Sequence, residues 1–376
     1  MADISNIAWC DSTFNPWIGC TKVSPACDHC YAERLVTNRL KHEAWGPGAQ
    51  RVRTAPTSWG KPLRWAKKPF YQCPSCNWRG DESTIKRAVG KAYVEGLSGG
   101  RCPYCAVRMS PARRRVFCAS LADVFDNAVP HKWRDDLFCL IQRTPNLDWL
   151  LLTKRIGNVE RLLADIACPG LPSNVWLGAT ICNHAEARRD VPKLLSTPAA
   201  VRFVSIEPML GAVDLRRLLV DDLLLDALTG CWDGLAARAP LPAILPSIDW
   251  VICGGESGPN ARPMHPDWAR SLRDQCAVLG TPFFFKQWGE WAPRGPESMG
   301  YLQVDDVPRV RLTDQGDNGQ KLGAKGWDDC WMQRSGVSFN GALLDGVEYQ
   351  AWPGDVAPAP PGSHVLSEQD EPRGLH

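Results

Sequence analysis

No run of about 18 consecutive apolar residues occurs in the 376-residue chain, so it contains no helix able to span a bilayer. A surplus of charge of one sign is missing too. The 43 Lys and Arg residues stand against 41 Asp and Glu, a net charge of +2 that by itself implies no nucleic-acid partner. The opening residues Met1-Ala2-Asp3-Ile4-Ser5-Asn6 lack the basic start and apolar stretch of an export signal, so a cytoplasmic location is expected. In that reducing compartment, 16 cysteines argue for metal ligands and buried thiols and against a disulfide framework. The 44% hydrophobic and 22% charged composition supports a sizeable core, in one large domain with attachments or two modest ones.

From about residue 115 onward, short apolar runs alternate with helical patterns. Strands are expected at Val116–Ser120, Leu147–Thr153, Val175–Thr180, Val201–Ile206, Asp249–Cys253 and Pro282–Phe285, after a short one near Ile7–Phe14. Helices are expected over Trp133–Arg143, Val159–Ile166, Glu186–Leu195 and Asp267–Leu279. Near-continuous apolar strands spaced by helices indicate βα units and a parallel sheet buried on both faces. The pattern predicts an α/β fold, a full or partial (β/α) barrel, with a doubly wound open sheet as the alternative. Residues 1–70 form the first βα unit, 71–111 an insert, 112–291 the rest of the barrel and 292–355 an irregular extension; 356–376 read as a disordered tail.

Cys20, Cys27 and Cys30 stand in a C-x6-C-x2-C arrangement, in a loop that runs into a helix. Three thiolates are one ligand short of a closed zinc site or a fully cysteine-ligated cluster, which leaves a position for a cofactor or substrate. Spacing alone leaves open a zinc site completed by Cys10, His29 or His42.

The flanking residues, Asn15-Pro16-Trp17-Ile18-Gly19-Cys20 and Cys27-Asp28-His29-Cys30-Tyr31-Ala32, resemble the cluster loop of radical S-adenosylmethionine (SAM) enzymes, nearest to the spore-photoproduct-lyase-like branch. The usual spacing there is C-x3-C-x2-C, so this chain has three extra residues after Cys20, and His29 takes the place of an aromatic. The segments Ser120–Phe125, Leu151–Arg155, Ser205–Pro208, Trp250–Gly258 and Phe283–Gly289 also resemble an uncharacterised family encoded largely by phages and prophages. The resemblance implies a 4Fe–4S cluster on the three cysteines, an external electron donor, and SAM cleaved to methionine and a 5′-deoxyadenosyl radical. If the chain is phage-encoded, its location is the host cytoplasm.

Polar residues gather just after the expected strands, where the active-site rim of an α/β barrel lies. Gly254-Gly255-Glu256 resembles the Gly-Gly-Glu motif that holds the methionine end of SAM, although here it follows a late strand instead of the second. Asp123, after the second strand, is positioned for the SAM ammonium, and Thr180 and Glu207 for ribose hydroxyls; Tyr31 joins them as a cofactor-binding residue. Lys154 and Lys286 are expected at the reacting end, with Arg155, Arg262 and Trp288 binding an anionic, ring-containing substrate.

A second set, Cys73-x2-Cys76 and Cys102-x2-Cys105, has the spacing of a zinc ribbon, with a second iron–sulfur cluster as the alternative. Trp59, Trp65 and Trp78 lie among basic residues between Arg51 and Lys68 or just beyond, an interleaving that suits stacking on unpaired bases. The basic runs, Arg113-Arg114-Arg115 included, read first as solvated faces and strand flanks. Together these features favour a nucleic-acid base as the substrate, a modified thymidine in phage DNA being one form, with a free nucleotide, a small molecule, a peptide or a partner protein as the alternatives. The expectation from another class is a non-catalytic zinc and nucleic-acid binder on a barrel scaffold.

Overall fold

Seven apolar strands build the core: β1 (Ser12–Phe14), β2 (Arg114–Cys118), β3 (Leu147–Thr153), β4 (Val175–Thr180), β5 (Val201–Ile206), β6 (Trp250–Gly254) and β7 (Phe283–Gln287). The computed structural model describes residues 3–89, 100–234, 241–295, 301, 303–312 and 330–354; the expected tail at 356–376 lies outside them. All six pairings between neighbouring strands are parallel and follow chain order. The sheet curls into a half-barrel and does not close, since β1 and β7 are its two edges. Strand order excludes the doubly wound alternative, in which the order reverses partway through the sheet.

Helices α1 (Pro56–Ala66), α2 (His131–Gln142), α3 (Val159–Ala164), α4 (His184–Ser196) and α5 (Pro266–Leu279) accompany the strands. Because strand side chains alternate between faces, Val116, Trp149, Leu151, Leu177, Val204 and Val251 join the core built with the helical residues Leu137, Leu162, Val191 and Leu272. Their neighbours Phe117, Leu150, Trp176, Phe203, Trp250 and Phe284 fill the opposite, concave face. Gly178 makes room there, since a Cβ on it would lie 2.3 Å from the Phe203 ring.

Both ends of the described chain complete that concave cluster. Trp9 packs 4.6 Å from the Phe117 ring, and Trp352 lies 4.7 Å from Trp250. The Arg115 guanidinium stacks 3.8 Å over Trp352. Tyr349 and Ala351 hydrogen-bond to Phe285 and Phe283, covering the outer edge of β7.

Three three-stranded antiparallel sheets among the described residues depart from the βα repeat. In the insert, Phe70–Gln72, Arg79–Asp81 and Ser110–Pro111 form a small antiparallel sheet, accompanied by a helix over Glu82–Val89. Residues Leu218–Val220, Leu223–Asp226 and Cys231–Asp233 form a second antiparallel sheet, and Ala292–Pro293, Arg309–Leu312 and Cys330–Gln333 a third. Among the described residues no helix is long and apolar enough to cross a membrane.

Candidate metal centres

The loop after β1 is fixed residue by residue. Asn15 is buried, donates to the Ser120 hydroxyl at 3.0 Å and accepts the Leu121 amide at 2.8 Å, tying the loop to the end of β2. Gly19 sits at φ +107°, and a Cβ on it would lie 2.2 Å from the Ala44 carbonyl oxygen, so glycine is required immediately before Cys20. Ser24 caps the short turn Pro25–Cys27 by accepting the Ala26 amide, and Cys30 leads into the helical turn Tyr31–Arg34. The Tyr31 hydroxyl donates to the Ser120 carbonyl at 2.8 Å.

Cys20, Cys27 and Cys30 line one cavity of about 110 Å³ at the carboxyl ends of β2, β3 and β4. Tyr31, Asp123, Lys154, Arg155 and Thr180 line it too. Eight of the expected site residues therefore meet here. Their three sulfurs are not all drawn together within 4.8 Å, the spacing that among the described residues marks out the four cysteines of the insert. Burial, with the Asp123 carboxylate adding to it, pushes the Cys20 thiol up to about 11, against the opposing pull of Arg155. Cys10 and His42 do not line the cavity: Cys10 belongs to the concave aromatic cluster and His42 is exposed.

Asp123 departs from the expected role. Its Oδ1 accepts the Phe125 amide at 2.9 Å and the Thr153 hydroxyl at 2.8 Å. Its Oδ2 accepts the Lys154 amide and Arg155 Nη1, each at 3.1 Å. Four intramolecular donors occupy the carboxylate, which makes Asp123 a brace for the end of β3 and not an open seat for an ammonium. Arg155 also changes role, because its guanidinium donates to Cys20 Sγ at 3.4 Å and to the Thr21 carbonyl at 2.7 Å. Lys154 lines the cavity, and its ammonium has no partner among the described residues.

The other half of the rim is a separate cluster. Glu256 Oε2 lies 3.1 Å from His29 Nδ1 and accepts the Arg262 amide at 2.8 Å, while Oε1 pairs with Arg262 Nη2 at 2.6 Å. Arg262 also reaches Asp28 and the Pro25 carbonyl, each at 3.0 Å. Burial alone would raise the Glu256 carboxyl, but the bonds from Arg262 and His29 outweigh it and hold it below its ordinary range. This network clamps the cysteine loop to the end of β6. A Cβ on Gly255 would lie 1.9 Å from the Trp288 carbonyl oxygen, so that glycine answers to packing within the chain. A Cβ on Gly254 would lie 2.8 Å from Glu207 Oε1. Glu207 pairs with Lys286 at 3.0 Å and accepts from Trp9 Nε1 and the Ser205 hydroxyl. Trp288 is a core residue, 1% exposed, with its indole donating to the Leu343 carbonyl, and cannot stack on a substrate ring.

At the opposite end of the half-barrel, the insert brings Cys73, Cys76, Cys102 and Cys105 together with all four sulfurs within 4.8 Å of one another. The closest pairs are Cys73 with Cys105 at 3.4 Å and Cys76 with Cys102 at 3.5 Å. The two knuckles repeat one design: the residue after the second cysteine, Asn77 or Ala106, takes a left-handed φ of 56° or 58°. Its amide donates to the carbonyl of the first cysteine. Four such thiols suit a single metal ion. The insert docks through Arg79 on Asp11, just before β1, and through Asp81 on Arg114, at the start of β2, at 2.9 and 2.5 Å. Those contacts lie at the amino ends of the strands, away from the cavity.

The basic runs divide: Arg53, Arg64, Lys67, Lys68 and Arg113 are exposed, as the solvated-face reading expects, whereas Arg51, Arg114 and Arg115 are internal. Arg51 is buried against Asp126 at 2.8 Å, and Arg114 and Arg115 are buried as well. Trp65 is buried with its indole on Asp3, and Trp59 packs edge-on against Phe14. Sequence reasoning missed Cys182, which follows β4 and whose thiol meets the Ser24 hydroxyl and Ala26 amide of the cysteine loop; burial foremost pushes it up to about 12. Only its place directly after a strand could have signalled it.

No curated protein and no solved structure matches this chain. Residues 4–353 match the family described as Protein of unknown function (DUF5131), and the chain belongs to that family.

Proposed function

We propose that this protein is a radical SAM enzyme, with Cys20, Cys27 and Cys30 holding a 4Fe–4S cluster. The observation that carries the reading is the meeting of these three thiols around one cavity at the carboxyl end of a parallel half-barrel. The donor set fits: sulfurs spread around a space suit a group whose ligands attach to different irons better than they suit one small ion. The chemistry that such a cluster supplies is reductive cleavage of SAM to methionine and a 5′-deoxyadenosyl radical, with the electron drawn from an external donor.

The chain's own residues divide the remaining work. Lys154, the uncommitted cation of the cavity, is suited to a carboxylate, and Thr180 offers a hydroxyl. The Glu256–Arg262–His29 clamp and the Asn15 tether hold the loop still and narrow the access of water. The four cysteines of the insert would bind structural zinc. For the substrate we favour a nucleic-acid base. The exposed second knuckle supports this, with Arg101 and Arg108 directly opposite one another and Tyr104 71% exposed between them. Like charges set opposite each other cost stability unless an anion joins them.

Anaerobic reconstitution tests the proposal. The expected result is a brown protein with broad absorbance near about 400 nm that cleaves SAM under dithionite, and that loses iron when Cys20, Cys27 or Cys30 becomes Ala. Unchanged iron in one variant removes that residue from the site. A colourless protein that retains zinc would favour the non-catalytic binder, the reading supported by the tight four-cysteine group. Mass spectrometry of DNA nucleosides from cells with and without the active protein tests the substrate, and identical profiles would count against a base.

A further inference from the structure

Of the three cysteines around the cavity, Cys20 has a sulfur that receives a guanidinium: Arg155 Nη1 lies 3.4 Å from it. The cation is held on every side. Nη1 also meets Asp123 Oδ2 at 3.1 Å, Nη2 donates to the Thr21 carbonyl at 2.7 Å, and the Arg155 amide donates to Thr153 Oγ1 at 2.9 Å. Asp123 is in turn fixed by Phe125, Thr153 and Lys154. The Arg155 and Asp123 side chains are only 9% and 6% exposed. Such a guanidinium is not a surface residue awaiting a ligand; it is a permanent charge aimed at one sulfur, and water screens it little.

We infer that Arg155, oriented by Asp123, is a positioning residue that sets the reduction potential of the metal centre at Cys20. The inference rests on the cluster reading above. A fixed cation and an N–H···S hydrogen bond both favour the form carrying one more electron, so they ease one-electron reduction by an external donor. Asp123 opposes part of that effect while keeping Arg155 in place. The two residues should therefore act with opposite sign, a result that loss of structure alone would not produce.

The test is an EPR-monitored redox titration of the reconstituted protein, with dithionite as reductant. In Arg155→Met the ratio of reduced to oxidised cluster at a fixed ambient potential should fall about tenfold, a shift of about 59 mV for one electron. Arg155→Lys, which keeps the charge but loses the fork, should fall between that variant and the wild type. Asp123→Asn, which removes the negative charge but leaves an acceptor for Arg155, should raise the ratio. If Arg155→Met does not fold or load iron, Arg155→Lys and Asp123→Asn decide the matter, and wild-type potentials in both overturn the inference. A wild-type protein that takes up no iron overturns the cluster reading and this inference with it. A loaded wild type whose potential ignores all the variants overturns the inference alone.

Discussion

Gly255 separates two reasons for a glycine. In a ligand-binding turn the missing side chain admits a cofactor, whereas here the space is already taken by the Trp288 carbonyl oxygen, 1.9 Å from where a Cβ would stand. Gly255→Ala should therefore destabilise the protein with no ligand present, by about 1–3 kcal/mol as overpacking does. Urea unfolding measures this, and an unchanged midpoint in the absence of SAM would restore the ligand-binding reading. Glu256 makes the same point for charge. Its carboxylate looks available in the sequence, but its His29 partner lies 227 positions away, and no local pattern announces such a pairing.

At the scale of elements, the strands were the legible part. β3, β4 and β5 fall where their apolar runs predict, because strands buried on both faces cannot carry polar residues without partners. The rim location was legible for the same reason, since polar residues reappear where each strand ends. The division of labour along the rim was not. Asp123, Glu256 and Trp288 are occupied by contacts from distant segments, and Arg114 and Arg115 are taken into the interior, where an ion pair and an indole face replace their hydration. The insert's spacing was legible because four ligands on two short knuckles are a local pattern.

The insert also carries a pH prediction. Burial would raise the Asp81 carboxyl, but bonds from Ser83, Thr84 and Arg114 outweigh it and hold it well below its ordinary range. The stabilisation from Asp81 is thus present above the unfolded value of about 3.9 and is lost as pH falls through the lower folded value. Acidification should loosen the insert from β2, and Asp81→Asn should flatten the dependence, as hydrogen exchange of residues 79–89 would report. Cys73→Ser should remove one equivalent of metal while sparing the iron proposed for the distant loop, because the two cysteine sets share no ligand. Loss of iron with zinc retained would reverse the two assignments.

For the whole molecule, the half-barrel depends on its last described segment. Trp352 fills the concave face against Trp250, Phe284 and Arg115, and its neighbours cover the edge of β7. Trp352→Ala should cost about 3–5 kcal/mol, as large core truncations do, and removing residues from 349 onward should in addition uncover a sheet edge prone to pairing with other chains. Light scattering and thermal unfolding check both; a truncated protein that stays monodisperse with the same melting temperature would refute them.

The tether from Asn15 to Ser120 and Leu121 has a consequence for biosynthesis. A ribosome delivers Cys20, Cys27 and Cys30 early, but Asp123 and Arg155, which wall their cavity, emerge only after the insert has been made. The four-cysteine module is complete by Cys105 and can close on a metal while the first three thiols still hang on an unsupported loop. The proposed cluster at the amino-terminal loop would therefore be captured after any metal at the second-encoded, four-cysteine site. The walls of that cavity are complete once Thr180 has been made, about halfway along the chain, so the loop would gain its support well before synthesis ends.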